Sequence, residues 1–340
     1  MSDIEQSVAT SMNVGEIRPL ELGQEQSFAF YKDVGRMLQY LSEFEHVDCP
    51  ACASPDSVYQ FTKVAFKFVR CSSCETLFMN PRPNRELMKS YYTESQNYRF
   101  WASRIFPSTE TSRREKIVKP SLERVISACE HYQFRPKCLV EIGPGFGTFL
   151  QAASDSGYFG QVLGVEPTPE LAEACGSRGL HVLPKPVEML KASEMPADSI
   201  VVAFEVIEHL YDPSEFLLAI HQVLSDGALL ILSFPNGKGF DVELLRERST
   251  TVDLEHVNLF NAVSIEELLH RTGYSLLECS TPGRLDVELV REIGLDENLE
   301  FGPFFNHILF EAKVDVRDAL QGFLSQNGLS SHMWVVARKA

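Results

Sequence analysis

Glu141 leads into a run in which Gly143, Gly145 and Gly147 occupy alternate positions, and Glu166 follows about one strand-helix-strand interval later. Glycines so placed after a strand let the backbone turn tightly and approach a small ligand. The pattern is G-x-G-x-G, with Thr148 where the dinucleotide fingerprint requires its third glycine, so a nicotinamide or flavin cofactor is disfavoured. The carboxylate at 141 points the same way: beside a pyrophosphate it repels, whereas beside an amine or sulfonium it attracts. Glu166, closing the second strand, is placed to accept hydrogen bonds from both hydroxyls of a ribose.

A second constellation lies upstream. Cys49-x-x-Cys52 and Cys71-x-x-Cys74 are separated by 18 residues, which suits two knuckles pinching one tetrahedral zinc ion. Four thiolates close the coordination shell and leave no position for water or substrate, so this zinc is expected to be structural. A pair of redox disulfides is the alternative, but no thioredoxin-like strand pattern surrounds either pair. Cys129, Cys138, Cys175 and Cys279 are scattered singly, as in a reducing compartment.

These residues need a framework, and the chain is long enough to supply one large domain with appendages. Its 340 residues are 44% hydrophobic, and 31 Lys+Arg against 47 Asp+Glu give a net charge of −16. Such a balance repels a polyphosphate backbone, and RREK at 113–116 is the densest basic stretch, so no nucleic-acid partner is expected. The polar, acidic start lacks a secretory pattern, and no apolar run approaches the roughly 18 residues of a membrane span. A cytoplasmic location is expected.

Residues 1–47 read as a lead-in with a short amphipathic helix, 48–83 as a compact zinc-ribbon-like unit containing a two-stranded hairpin, and 84–135 as a helical linker. From 136 the pattern alternates strand and helix, which signals a parallel sheet covered on both faces. The expected strands are 137–142, 161–166, 181–185, 199–204, 228–234, 275–280 and 332–339. A capping box of Ser264 and Glu267 is expected to open the helix before Gly273. An insert at 283–330, with helix-like ends around FGPFFNHILF, interrupts the domain before its last strand.

The runs VEIGPGFGTFL, VLGVEP, SIVVAFEVIEHLYDP and EHVNLFNAVSIEELLHRTGY resemble the class I S-adenosylmethionine-dependent methyltransferases, in particular a subgroup with an EHL-DP segment after the fourth strand. The resemblance covers about 135–282 and the last strand. It implies an α/β, doubly wound, Rossmann-like seven-stranded sheet over 136–282 and 331–340. It also implies S-adenosylmethionine as cofactor: Glu141 and Gly143 would face its methionine part, Gly145 and Gly147 would let the backbone approach, and Glu166 would hold the ribose. Val187, in the segment where relatives place adenine, would contribute a backbone contact in place of the acidic residue many relatives have. Phe204 and Glu205 would end the fourth strand beside the cofactor, although Phe204 also reads as plain core packing.

Methyl transfer to a hydroxyl requires the acceptor to be held in line and its proton to be taken. His209, in the EHL segment, and His256, after the fifth strand, are the candidate bases; the plain reading of His209 is that it and Glu208 fix their loop by hydrogen bonds. Asn236 is a further candidate to meet the acceptor. The CPAC, RC-x-x-C, NPRP sequence resembles a zinc module that precedes methyltransferases acting on small molecules, many in carbohydrate modification. The expected acceptor is therefore a hydroxyl of a sugar, sugar nucleotide or glycolipid head group. The alternatives are an RNA methyltransferase that uses the zinc module to bind its substrate, or a non-catalytic S-adenosylmethionine-binding interaction protein.

Overall fold

A computed structural model describes residues 14–17 and 19–340; residues 1–13 of the expected lead-in lie outside the described residues. The amphipathic helix is α1, Gly23–Met37, which buries Ala29, Val34 and Met37 on one side. Its Asp33 is buried too, and the carboxylate accepts from Ser95 Oγ (2.7 Å), Gln96 N (2.9 Å) and Asn97 N (2.8 Å), capping the helical segment that starts at Gln96. One side chain thus ties the lead-in to the linker.

The expected hairpin pairs β1, Ser57–Lys63, with β2, Phe66–Cys71. Its two loop residues, Val64 and Ala65, both take positive φ, as a primed turn between right-twisted strands requires. A third strand, β3 (Leu77–Met79), follows. The linker opens with α2, Arg85–Glu94, capped by Asn84 Oδ1 on Leu87 N at 2.9 Å. From Gln96 the chain stays helical to α3, Lys119–His131, but with two wide π turns, Trp101–Ile105 and Arg114–Val118. Each lies just ahead of a proline, Pro107 or Pro120. A proline has no N–H to donate and its ring crowds the preceding turn, so a local widening keeps the helix going.

The domain that follows contains β4 (Cys138–Ile142), α4 (Thr148–Asp155), β5 (Gln161–Val165), α5 (Pro169–Ser177), β6 (Val182–Leu183) and β7 (Ser199–Phe204). It continues through α6 (Pro213–Val223), β8 (Leu229–Pro235), α7 (Phe240–Leu245), β9 (Asn258–Leu259), α8 (Ala262–Arg271) and β10 (Tyr274–Ser280). The expected insert contains α9 (Asp286–Asp296) and α10 (Val314–Gln326), and β11 (His332–Lys339) ends the domain. Seven strands form one sheet in the order β10-β11-β8-β7-β4-β5-β6, with β11 antiparallel to both neighbours and the other pairs parallel. Alternate residues feed opposite cores. Val140, Val201 and Leu230 pack with α6 and α8 on one face, and Leu139, Ile200 and Leu229 with α3 and α4 on the other. Apolar runs such as SIVVAF are continuous for that reason.

Three expectations change. The strand expected at 181–185 shrinks to Val182–Leu183, because Pro184 lacks a donor at the sheet's edge. The helix before Gly273 starts earlier: Asn261 is its cap, accepting from Val263 N (3.0 Å) and Ser264 N (3.1 Å), while Ser264 Oγ accepts from Asn261 N (2.9 Å). The capping box is therefore Asn261 with Ser264 rather than Ser264 with Glu267. Finally, the hairpin sheet is not confined to 48–83, since β9 pairs with β3 and the order is β9-β3-β2-β1. Among the described residues no helix is long and apolar enough to cross a membrane.

Candidate functional site

The carboxyl ends of β4, β5, β7 and β8 face one edge of the sheet, where open α/β sheets bind ligands. Gly143, Gly145 and Gly147 all adopt left-handed φ (+71°, +55° and +73°). They differ in surroundings. A Cβ on Gly147 would lie 2.6 Å from Leu180 Cδ1 and 2.9 Å from Cys175 Sγ, and one on Gly143 would lie 2.8 Å from Val206 Cγ2, whereas one on Gly145 would meet nothing within 4 Å. The outer two glycines close the turn against the protein; the middle one faces free space.

Glu141 is 4% exposed, and its Oε2 has no hydrogen-bond partner. Burial, with a smaller push from the Glu166 carboxylate, raises its carboxyl to about 8. Glu166 is equally buried; its carboxylate accepts from Thr168 N at 2.9 Å and Gly145 N at 3.3 Å, so the two acids share the glycine loop between them. An orphaned buried carboxylate beside open backbone fits a ligand that brings a positive charge.

The linker covers this loop, which the sequence did not announce. Phe106 packs on Phe146 with ring centroids 5.2 Å apart. Tyr98, from the segment capped by Asp33, is half-buried, and its hydroxyl is pushed above the usual phenol range by desolvation and by the Glu166 and Glu255 carboxylates. Asn97 Nδ2 and Tyr91 Oη donate to Glu255 Oε1 at 2.8 and 2.6 Å. The only sequence signal was the density of aromatic residues between 91 and 106.

At the end of β7 the Phe204 ring lies between Phe149 (4.8 Å) and Trp334 (5.4 Å), inside one of the two cores. Glu205 turns the chain at φ +55°, and its Oε1 accepts from Ser233 Oγ at 2.9 Å and stands 3.4 Å from His332 Nε2. Val187 is buried at the start of a short helical turn. Asn236 is buried as well, and its amide is spent on the insert, donating to Ser330 O at 2.9 Å.

The fold brings His209 and His256 together, 47 residues apart in sequence, with ring centroids 4.8 Å apart. His209 Nδ1 donates to Glu255 O at 3.1 Å and His256 Nδ1 to Thr251 O at 2.7 Å. Glu208 beside them is fully buried and neither carboxylate oxygen is hydrogen-bonded, so it does not fix the loop as the sequence suggested. That task falls to Asn258, whose amide reaches the carbonyls of Ile207 (3.4 Å), Glu208 (3.5 Å) and Leu210 (2.7 Å).

The four cysteines of the two C-x-x-C pairs converge, with Cys49 Sγ and Cys74 Sγ 3.5 Å apart and Cys52 Sγ and Cys71 Sγ likewise 3.5 Å apart. All eight cysteines are free thiols. A tetrahedral ion with sulfur ligands at about 2.3 Å needs sulfurs roughly 3.8 Å apart, so the cluster is compatible with zinc.

Residues 113–279 match a family model described as "Methyltransferase domain". A 77-residue stretch is 34% identical to a protein of Mycolicibacterium smegmatis described as a "Probable S-adenosylmethionine-dependent methyltransferase", and covers 23% of this chain and 28% of that one. The chain is similar in fold to a plantazolicin methyltransferase solved with S-adenosylhomocysteine (15% identity, 75% of this chain and 95% of the other, TM-score 0.47). A 1,6-didemethyltoxoflavin-N1-methyltransferase from Burkholderia thailandensis, also with S-adenosylhomocysteine, is 13% identical over 83% of this chain and 99% of the other, with a TM-score of 0.45. By the family match, residues 113–279 form a methyltransferase domain.

Proposed function

We propose that the protein transfers a methyl group from S-adenosylmethionine to a hydroxyl of a small polar acceptor, with a sugar, sugar nucleotide or glycolipid head group as the favoured class. The observation that carries the cofactor half of this reading is the unpartnered Oε2 of buried Glu141 next to the open face of Gly145. Glu141 binds the cationic methionine end, Glu166 turns from the Gly145 N–H to a ribose, and Val187, Phe204 and Glu205 border the rest. The cofactor supplies an electrophilic methyl on a sulfonium. The chain's part is to hold the acceptor oxygen in line and to take its proton, for which His209 and His256 offer Nε2.

The acceptor class rests on the resemblance of the cysteine module and on the acidic charge balance, which disfavours RNA. We assign the four cysteines a structural zinc. The module then walls the acceptor side through its contacts with the segment after β8, such as Lys63 Nζ on Ser249 O at 2.7 Å and Arg70 on Glu243 at 2.8 Å. Incubation with isotope-labelled S-adenosylmethionine and fractionated metabolites, read by mass spectrometry, tests the whole reading. A gain of one labelled methyl on a sugar-bearing metabolite is expected. Label on RNA alone would replace the acceptor class, and absence of cofactor uptake by folded protein would end the reading.

A further inference from the structure

We propose that Glu208, His209 and His256 hold a divalent first-row metal ion, of the zinc or manganese kind, between the end of β7 and the loop that follows β8. One ligand atom from each residue lies within 4.8 Å of the others. The Glu208 carboxylate is fully buried with both oxygens unpartnered, a costly arrangement that calls for a compensating group. His209 does not compensate, because its Nε2 stands 3.8 Å from Glu208 Oε1, beyond hydrogen-bond range.

The two imidazoles are already set as ligands. Each Nδ1 faces a backbone carbonyl, Glu255 O for His209 and Thr251 O for His256, and a carbonyl can only accept. The ring proton is therefore fixed on Nδ1, and the Nε2 lone pair is left for a cation, the arrangement in which metal-bound histidines are usually held. The backing is rigid: Asn258 clamps the 207–210 turn, and Asp253 Oδ1 accepts from His256 N at 2.8 Å.

Two imidazoles and one carboxylate suit zinc, manganese or iron better than calcium or magnesium. Three protein ligands also leave coordination positions open, in contrast to the closed four-cysteine cluster. Both histidines remain partly exposed, so those positions are reachable, and an acceptor oxygen is the ligand they would take. The inference deepens the proposed reaction and rests on it only for that last ligand. With the ion in place both Nε2 atoms would be spent on the metal, so the free-base role given to the histidines above passes to the cation: it would acidify the acceptor hydroxyl, which yields its proton to solvent water as the C–O bond forms and the C–S bond breaks, releasing S-adenosylhomocysteine.

The test uses the full chain with its cysteine cluster loaded, freed of weakly held metal by dialysis against EDTA. Manganese(II) alone is titrated in, and free ion is followed by electron paramagnetic resonance; zinc(II) alone is then titrated and its stoichiometry measured by mass spectrometry of the metal. One equivalent of either ion beyond that held by the cysteines is expected, with affinity reduced about tenfold or more in both Glu208→Gln and His256→Ala. The half-buried His256 position gives a folded variant even if the buried Glu208→Gln does not fold. Absence of that equivalent for both ions, or uptake by folded His256→Ala equal to wild type, overturns the proposal. Calorimetry with S-adenosylmethionine, run in parallel, reports on the cofactor reading separately, since Glu141 and Glu166 lie outside this cluster.

Discussion

If Glu141 meets the cationic end of the cofactor as proposed, one buried acid couples cofactor and proton. Its carboxyl, at about 8, is neutral in the free protein at physiological pH, and a cationic ligand favours the ionised form. We predict that S-adenosylmethionine binding strengthens as pH rises from about 6 to 8 and releases close to one proton per site below that range. Calorimetry at pH 7 in buffers of different ionisation enthalpy checks this, and Glu141→Gln should abolish the proton release while weakening binding. Folding carries the opposite sign. Because the folded-state value lies above that of the unfolded chain, Glu141 favours folding most at pH below the ordinary carboxylate range and loses that contribution as pH climbs toward 8. Glu141→Gln should therefore flatten the fall of melting temperature between pH 5 and pH 8, by an amount on the order of 1–2 kcal/mol of stability or more.

At the scale of elements, the turn between β4 and α4 separates two uses of glycine. In Gly147→Ala, a methyl group would press on Leu180 and Cys175 at a left-handed φ, so we predict a loss of about 2–4 kcal/mol and a lower melting temperature. Gly145→Ala meets only the φ penalty, about 1 kcal/mol, but places its methyl in the free space where the cofactor is expected; affinity should fall more than stability. If calorimetry and melting curves showed the reverse ranking, the open face of the loop would not be the cofactor's. This turn was legible because its glycines, its flanking strand and Glu166 are all local signals. Strands 199–204 and 332–339 were legible to the residue for a similar reason: continuous β-branched and apolar runs leave no other way to bury both faces. What escaped has two causes. The π turns before Pro107 and Pro120 and the Asn261 cap are local, but a 3.6-residue periodicity does not record them, whereas the two-residue β9 exists only through its pairing with distant β3. The linker's Tyr91, Asn97 and Tyr98 gained their importance only through Glu255 and Glu166.

The whole molecule joins its two side-chain clusters through one strand pair. β3 emerges from the second cysteine knuckle and pairs with β9, while Met79 N donates to Val257 O at 3.0 Å. Asn261 Nδ2 donates to Cys74 O at 3.0 Å, Arg271 to Ala51 O, and Asn258, within β9, clamps the turn that carries His209. His256 sits two residues ahead of that strand. A structural zinc in a small knuckle pair contributes on the order of 10 kcal/mol, so if the four cysteines hold the proposed ion, its removal should unfold the knuckles and leave β9 without its partner. We predict that stripping this ion, or Cys74→Ser, speeds hydrogen exchange at 66–79 and 256–261 together while β4 and β7 keep their protection, because those central strands are held by the larger sheet. If 256–261 stayed as protected as in the metal-loaded protein while 66–79 exchanged freely, the histidine loop would owe its position to the sheet alone, and the module would be an appendage instead of one wall of the site.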